Sequence, residues 1–126
     1  MYKWVTGNAE LRIITLNEHN ITLNSNASEH FQDSHYVLVG VSDSGLVAIK
    51  PVFKKDLELN RFDRDLLHKI SVGSGYAKIN NKALCDLIAQ KIGESLSGQK
   101  IVAKFNEEEN VLEFDLNDLG KEGAVL

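Results

Sequence analysis

Cysteine is nearly absent from this chain. Its single thiol, Cys85, excludes an internal disulfide and any multi-cysteine zinc or iron–sulfur site, so packing must supply the stability. Proline is as scarce, with Pro51 alone. No stretch approaches the roughly 18 apolar residues of a membrane helix, and Met1-Tyr2-Lys3-Trp4-Val5-Thr6-Gly7 lacks the apolar core of a signal peptide. These absences point to a cytoplasmic protein without membrane contact. The 126 residues suit one domain spanning 1–126, long enough to bury a core.

What is present is unevenly charged. The formal charge is -4, but Lys50, Lys54, Lys55, Arg61, Arg64, Lys69, Lys78 and Lys82 face only four acids between residues 50 and 82. That segment is +4, against -3 before it and -5 after it. A basic middle on an acidic chain can form a local positive face, and these eight side chains are the candidate nucleic-acid contacts.

The chain also repeats itself. Leu23-Asn24-Ser25-Asn26-Ala27 aligns with Ile79-Asn80-Asn81-Lys82-Ala83 at an offset of 56, which also carries Leu11 to Leu67, Ile14 to Ile70, Thr15 to Ser71 and Leu16 to Val72. Val37–Val41 aligns with Ile101–Phe105 at 64, and Leu46–Ile49 with Val111–Phe114 at 65.

Each half reads as two short strands, a helix and a hairpin. Strands over 67–72 and 76–79 flank Gly73-Ser74-Gly75, whose glycines suit a tight reversal. Asn80 and Asn81 then offer N-cap oxygens, Leu84, Leu87, Ile88 and Ile92 form an apolar stripe, and Gly93 ends the helix. Asn106–Asn110 forms a polar turn between the last two strands. In the first half the helix over 26–31 is short and poorly apolar, while Val37, Val39 and Val41 alternate ahead of Ser42-Asp43-Ser44-Gly45. Leu46–Ile49 returns before Pro51 ends the pairing. Residues 53–66 form a charged connector anchored by Phe53, Leu57, Leu59 and Phe62.

Residues 11–52 and 67–116, through Ala77–Leu84, Ile88–Phe105 and Val111–Phe114, resemble the AbrB/MazE/SpoVT family of swapped-hairpin domains. The resemblance implies a mostly β fold with short helices, in which tandem β-β-α-β-β repeats form a swapped-hairpin barrel. Such a tandem looks like a single-chain pseudo-dimer, as in the MraZ family. It further implies a small transcriptional regulator that binds duplex DNA, as a homo-oligomer. Two departures bear on this. The family commonly has Pro after the second strand, where Asn24 and Asn80 stand here and still cap a helix. Its DNA-binding members usually place arginine in the first turn, whereas Asn17-Glu18-His19-Asn20 and Gly73-Ser74-Gly75-Tyr76 carry none. The alternative is a protein-interaction or scaffold module that has lost DNA binding.

Other chemistry has little footing. His19, His30, His35 and His68 fall in no metal-ligand spacing, Gly73-Ser74-Gly75 lacks the frame of a phosphate loop, and Ser74 is in no nucleophile elbow. Cys85 reads as a packed side chain, and Glu107-Glu108-Glu109 as a solvated hairpin tip. Tyr2 and Trp4 read as anchors for the N-terminal segment. The expectation is therefore no enzyme, no cofactor and no metal.

Overall fold

The computed structural model describes Tyr2 and residues 11–119. Nine strands run among them: β1 (Arg12–Leu16), β2 (Asn20–Leu23), β3 (Tyr36–Val41), β4 (Leu46–Val52), β5 (His68–Lys69), β6 (Ser71–Gly73), β7 (Tyr76–Asn80), β8 (Gln99–Asn106) and β9 (Val111–Asp115). Three helices join them: α1 (Ser25–Ser28), α2 (Lys54–Glu58) and α3 (Lys82–Ile92).

All pairings are antiparallel, in the order β5-β3-β4-β9-β8-β1-β2-β7-β6. The two ends of this order are consecutive in the chain. β5 pairs with β3, β6 pairs with β7, and only Ile70 separates them, its N–H donating to the His35 carbonyl at 3.1 Å. The segment His68–Gly73 therefore bridges both edges and nearly closes the sheet into a barrel.

The strand pairing has an internal two-fold. β1 pairs with the second half's β8, and β5, its counterpart, pairs with the first half's β3. Each half thus lends its first strand to the other's hairpin. Thr22 lies opposite Lys78, and Ile21–Ile79 and Leu23–Ala77 exchange under the 56-residue offset. Ala48 lies opposite Glu113, and Val47–Phe114 and Ile49–Leu112 exchange under the 65-residue offset. These registers support the fold class and the tandem alignment together.

Period-two alternation drives one face of every strand inward. Ile14, Leu16, Ile21, Leu23, Val37, Ile49, Ile79, Ile101 and Leu112 form a continuous core, joined by Ala27 and Phe31 from the first half and by Leu84, Cys85 and Ile88 from α3. Gly93 ends α3 at φ 75°, as expected of a helix-terminal glycine.

Five local expectations need correction. Leu87 is 45% exposed and lies outside the stripe, where Cys85 takes its place beside Leu84 and Ile88. Leu59 is 55% exposed and anchors nothing in the connector. The strand expected over 67–72 divides into β5 and β6, because Ile70 is where the chain passes from one edge to the other. Pro51 does not end the hairpin: it pairs with Val37 and β4 continues to Val52. β4 has by then outrun β9, whose pairing stops at Ile49–Leu112, so a missing N–H is tolerated as on an edge strand. Finally, Asn81 rather than Asn80 caps α3, accepting from the Leu84 N–H at 3.0 Å, while Asn80 pairs with Asn20. Tyr2 is 84% exposed and Trp4 lies outside the described residues. No helix among the described residues is long and apolar enough to cross a membrane.

Candidate nucleic-acid interface

The outer face of β8, β1, β2, β7 and β6 is set by what the core takes. With Ile14, Leu16, Ile21, Leu23, Ala77, Ile79 and Ile101 inside, Thr15, Thr22, Lys78 and Lys100 point outward. The registers align them into one row across five strands: Lys100 opposite Thr15, Thr15 opposite Thr22, Thr22 opposite Lys78, and Lys78 opposite Ser71. At about 4.8 Å per strand the row spans roughly 19 Å. It contains no carboxylate, and the internal two-fold passes between Thr22 and Lys78.

Local hydrogen bonds order this face. Lys100 Nζ donates to Thr15 Oγ1 at 3.2 Å. Thr22 Oγ1 donates to Asn20 Oδ1 at 3.1 Å, which also accepts from Asn17 Nδ2 at 2.9 Å. Ammonium, hydroxyl and amide donors held in register are groups that contact phosphate oxygens. The first reversal, Asn17–His19, places Glu18 and His19 3.8 Å apart, both well exposed. The second is the two-residue Ser74–Gly75, with Gly75 at φ 82°. Tyr76 lays its ring over Gly73, where a Cβ would come within 2.5 Å of it.

The eight sequence candidates do not converge. Lys78 stands in the row. Lys69, on β5, is exposed at the barrel's closing edge. Lys50 lies on β4, on the wall opposite β7 in the strand order, and donates to the Glu109 carbonyl at 2.7 Å. Lys54, Lys55, Arg61 and Arg64 belong to the connector, where Lys54 meets Glu58 at 3.9 Å and Arg61 meets Asp56 at 3.8 Å. Lys82 opens α3 and is held by both oxygens of Asp86 at 3.0 Å, a hydrogen bond and a charge that push its pKa up.

Lys100 was missed because it lies in the most acidic third of the chain. Its outward direction is legible from the alternation around Ile101 and Ala103, but its place beside Thr15 follows only from the swapped pairing. Elsewhere, burial pushes the Cys85 thiol up, which suits a packed side chain. At the β1–β8 end, Arg12 Nε donates to His30 Nε2 at 2.9 Å, and His30 stacks on Phe105 with ring centroids 3.7 Å apart. Burial, then the Arg12 charge, lowers the His30 pKa from 6.5, opposed by Glu29 and Glu107. Comparison with family models, curated proteins and solved structures finds no match to this chain.

Proposed function

We propose that this chain is a non-enzymatic regulator of the AbrB-like type that binds duplex DNA, with the outer face of β8-β1-β2-β7-β6 against the phosphates. The observation that carries the reading is the carboxylate-free donor row, Lys100-Thr15-Thr22-Lys78-Ser71, which the internal two-fold crosses between Thr22 and Lys78. A duplex backbone has local two-folds of its own, and two-fold readers mirror them. One chain already supplies both halves, and assembly into a homo-oligomer would multiply the rows. Phosphate neutralisation dominates such binding and releases counterions, so affinity falls steeply with salt.

The test is fluorescence anisotropy with a pool of labelled duplexes over a salt series. Replacing Lys78 and Lys100 together with Ala is expected to flatten the log–log salt slope by about two, one per lost phosphate contact. Replacing Lys54, Lys55, Arg61 and Arg64 instead measures the connector's share. Absence of binding at low salt retires this reading.

A second reading, a protein-interaction or scaffold module, has its own support. Lys82 is held by Asp86 at 3.0 Å and Arg61 meets Asp56, and the connector exposes Leu59 and Leu66 at 55% and 59%. It predicts a partner retained after nuclease treatment of a lysate.

A further inference from the structure

Beneath the connector, where β5 closes the barrel, lies a groove of about 640 Å³. Its apolar surfaces are Val52 at the end of β4, Leu57 on α2, and Ile70 at the crossing between β5 and β6. Val52 and Ile70 are buried, at 1% and 6% exposure, so this floor is continuous with the barrel wall. Lys54 and Lys69 stand at the rim with one acid, Asp33. Lys54 comes from α2 and Lys69 from β5. Lys69 has no ion-pair partner among the described residues, and Lys54 has only the 3.9 Å contact with exposed Glu58, which holds little in water. β5 is only two residues long, and α2 supplies Lys54 and Leu57 to the lining.

From this geometry we infer that the groove binds a small amphipathic monoanion, an alkyl or aryl carboxylate or sulfonate, its apolar body against the half-buried Leu57 and Tyr36 above the buried Val52 and Ile70, and its charge at Lys54 and Lys69. The volume lies within the 300–1,000 Å³ typical of small-molecule sites, and an apolar floor with few convergent charges is the usual composition of one. Two lysines against one aspartate select an anion over a cation, and a multiply charged ligand lacking an apolar body would leave the floor unused. The inference stands apart from DNA binding, because Ser71 is the one member of the donor row that lines this groove and neither Lys78 nor Lys100 does.

The probe is 8-anilinonaphthalene-1-sulfonate, titrated at neutral pH into the folded 126-residue chain, with octanoate and octylamine as competitors. Saturable one-to-one fluorescence is expected, displaced by octanoate and not by octylamine. Lys54→Ala with Lys69→Ala should weaken it about tenfold or more, the scale of one lost charge-assisted contact, while unfolding midpoints confirm that the variant folds. Amide chemical-shift mapping with octanoate should move Val52, Lys54, Leu57, Lys69 and Ile70. Shifts centred instead on the larger groove around Lys91, Glu94 and Asn117 overturn the assignment. So does a double variant that binds as the parent does, or a parent that shows no saturable binding.

Discussion

The internal two-fold gives the barrel two equivalent seams, and they are unequal. Where β1 meets β8, pairing runs through five residues, Arg12–Leu16 against Gln99–Ala103. Where β5 meets β3, it covers two, His68–Lys69 against Val37 and Tyr36. The difference comes from the covalent path. The chain leaves β4 at Val52, folds α2 and a 3₁₀ turn over Arg64–Leu66, and arrives at β3 only by His68. The 56-residue offset carries Arg12–Leu16 onto His68–Val72, and the residues that would lengthen β5 are spent at Ile70 and beyond, where the chain crosses to pair with β7 as β6. Each seam also has its own fastening. His30 clamps the first, accepting from Arg12 on β1 while stacking on Phe105 of β8. At the second, His68 Nδ1 meets Asn81 Nδ2 at 2.8 Å, tying β5 to the cap of α3. Topological symmetry therefore does not imply energetic symmetry.

The most direct way to break this comparison is at equivalent core positions. Ile14 is fully buried on β1, and Ile70, its counterpart, retains 6% exposure at the crossing. Ile14→Ala is expected to cost roughly 4 kcal/mol and Ile70→Ala about 2 kcal/mol, because the looser wall relaxes more readily around a cavity. Urea unfolding measures both. Equal costs would mean that the groove and short β5 leave the second seam as rigid as the first.

The helix caps sharpen it next. Asn24 Oδ1 accepts from the Ala27 N–H and the Ile13 N–H, both at 3.0 Å, and its Nδ2 donates to the Leu11 carbonyl at 2.9 Å. One side chain thus caps α1 and pins the start of β1. Asn81 caps α3 and reaches only the His68 side chain beyond it. Asn24→Ala should cost about 2 kcal/mol, a cap plus a stranded backbone donor, and Asn81→Ala about 1 kcal/mol. The same urea curves decide it.

Much of this was legible before any coordinates. Alternation at Ile14/Leu16, Ile21/Leu23 and Ile101/Ala103 marked the inward faces, and the 56- and 65-residue offsets align the very strands that pair across the two-fold. Strand neighbours that arise from swapping were harder, because pairing between β1 and β8 joins residues more than 80 positions apart and leaves no local trace. That is why Lys100 was missed, and why charge counted along the chain gathered eight cations that space separates. Single-residue details failed for another reason: the choice of Cys85 over Leu87, or Asn81 over Asn80, turns on where α3 begins relative to the end of β7, a shift of one residue that composition does not encode.

The smallest expected effect concerns the clamp on the first seam. Burial and the Arg12 charge lower the His30 pKa, while Glu29 beside it and Glu107 from the β8–β9 turn oppose the shift. His30 must stay neutral to accept from Arg12 Nε, since the imidazolium offers two donors and no acceptor. As pH falls through 6.5 the unfolded chain takes up this proton first. The unfolded state then binds more protons than the folded one, and stability declines from about pH 6.5 down to the folded value, below which it levels off. His30→Gln keeps an acceptor for Arg12 and removes the titration, so the urea midpoint should drop less between pH 7.5 and 5.0 in the variant than in the parent. Contributions common to both proteins cancel, which leaves the difference between the two drops as the reading. An identical drop would mean that the first seam holds without His30 in its neutral form, and its greater strength would rest on the five-residue pairing alone.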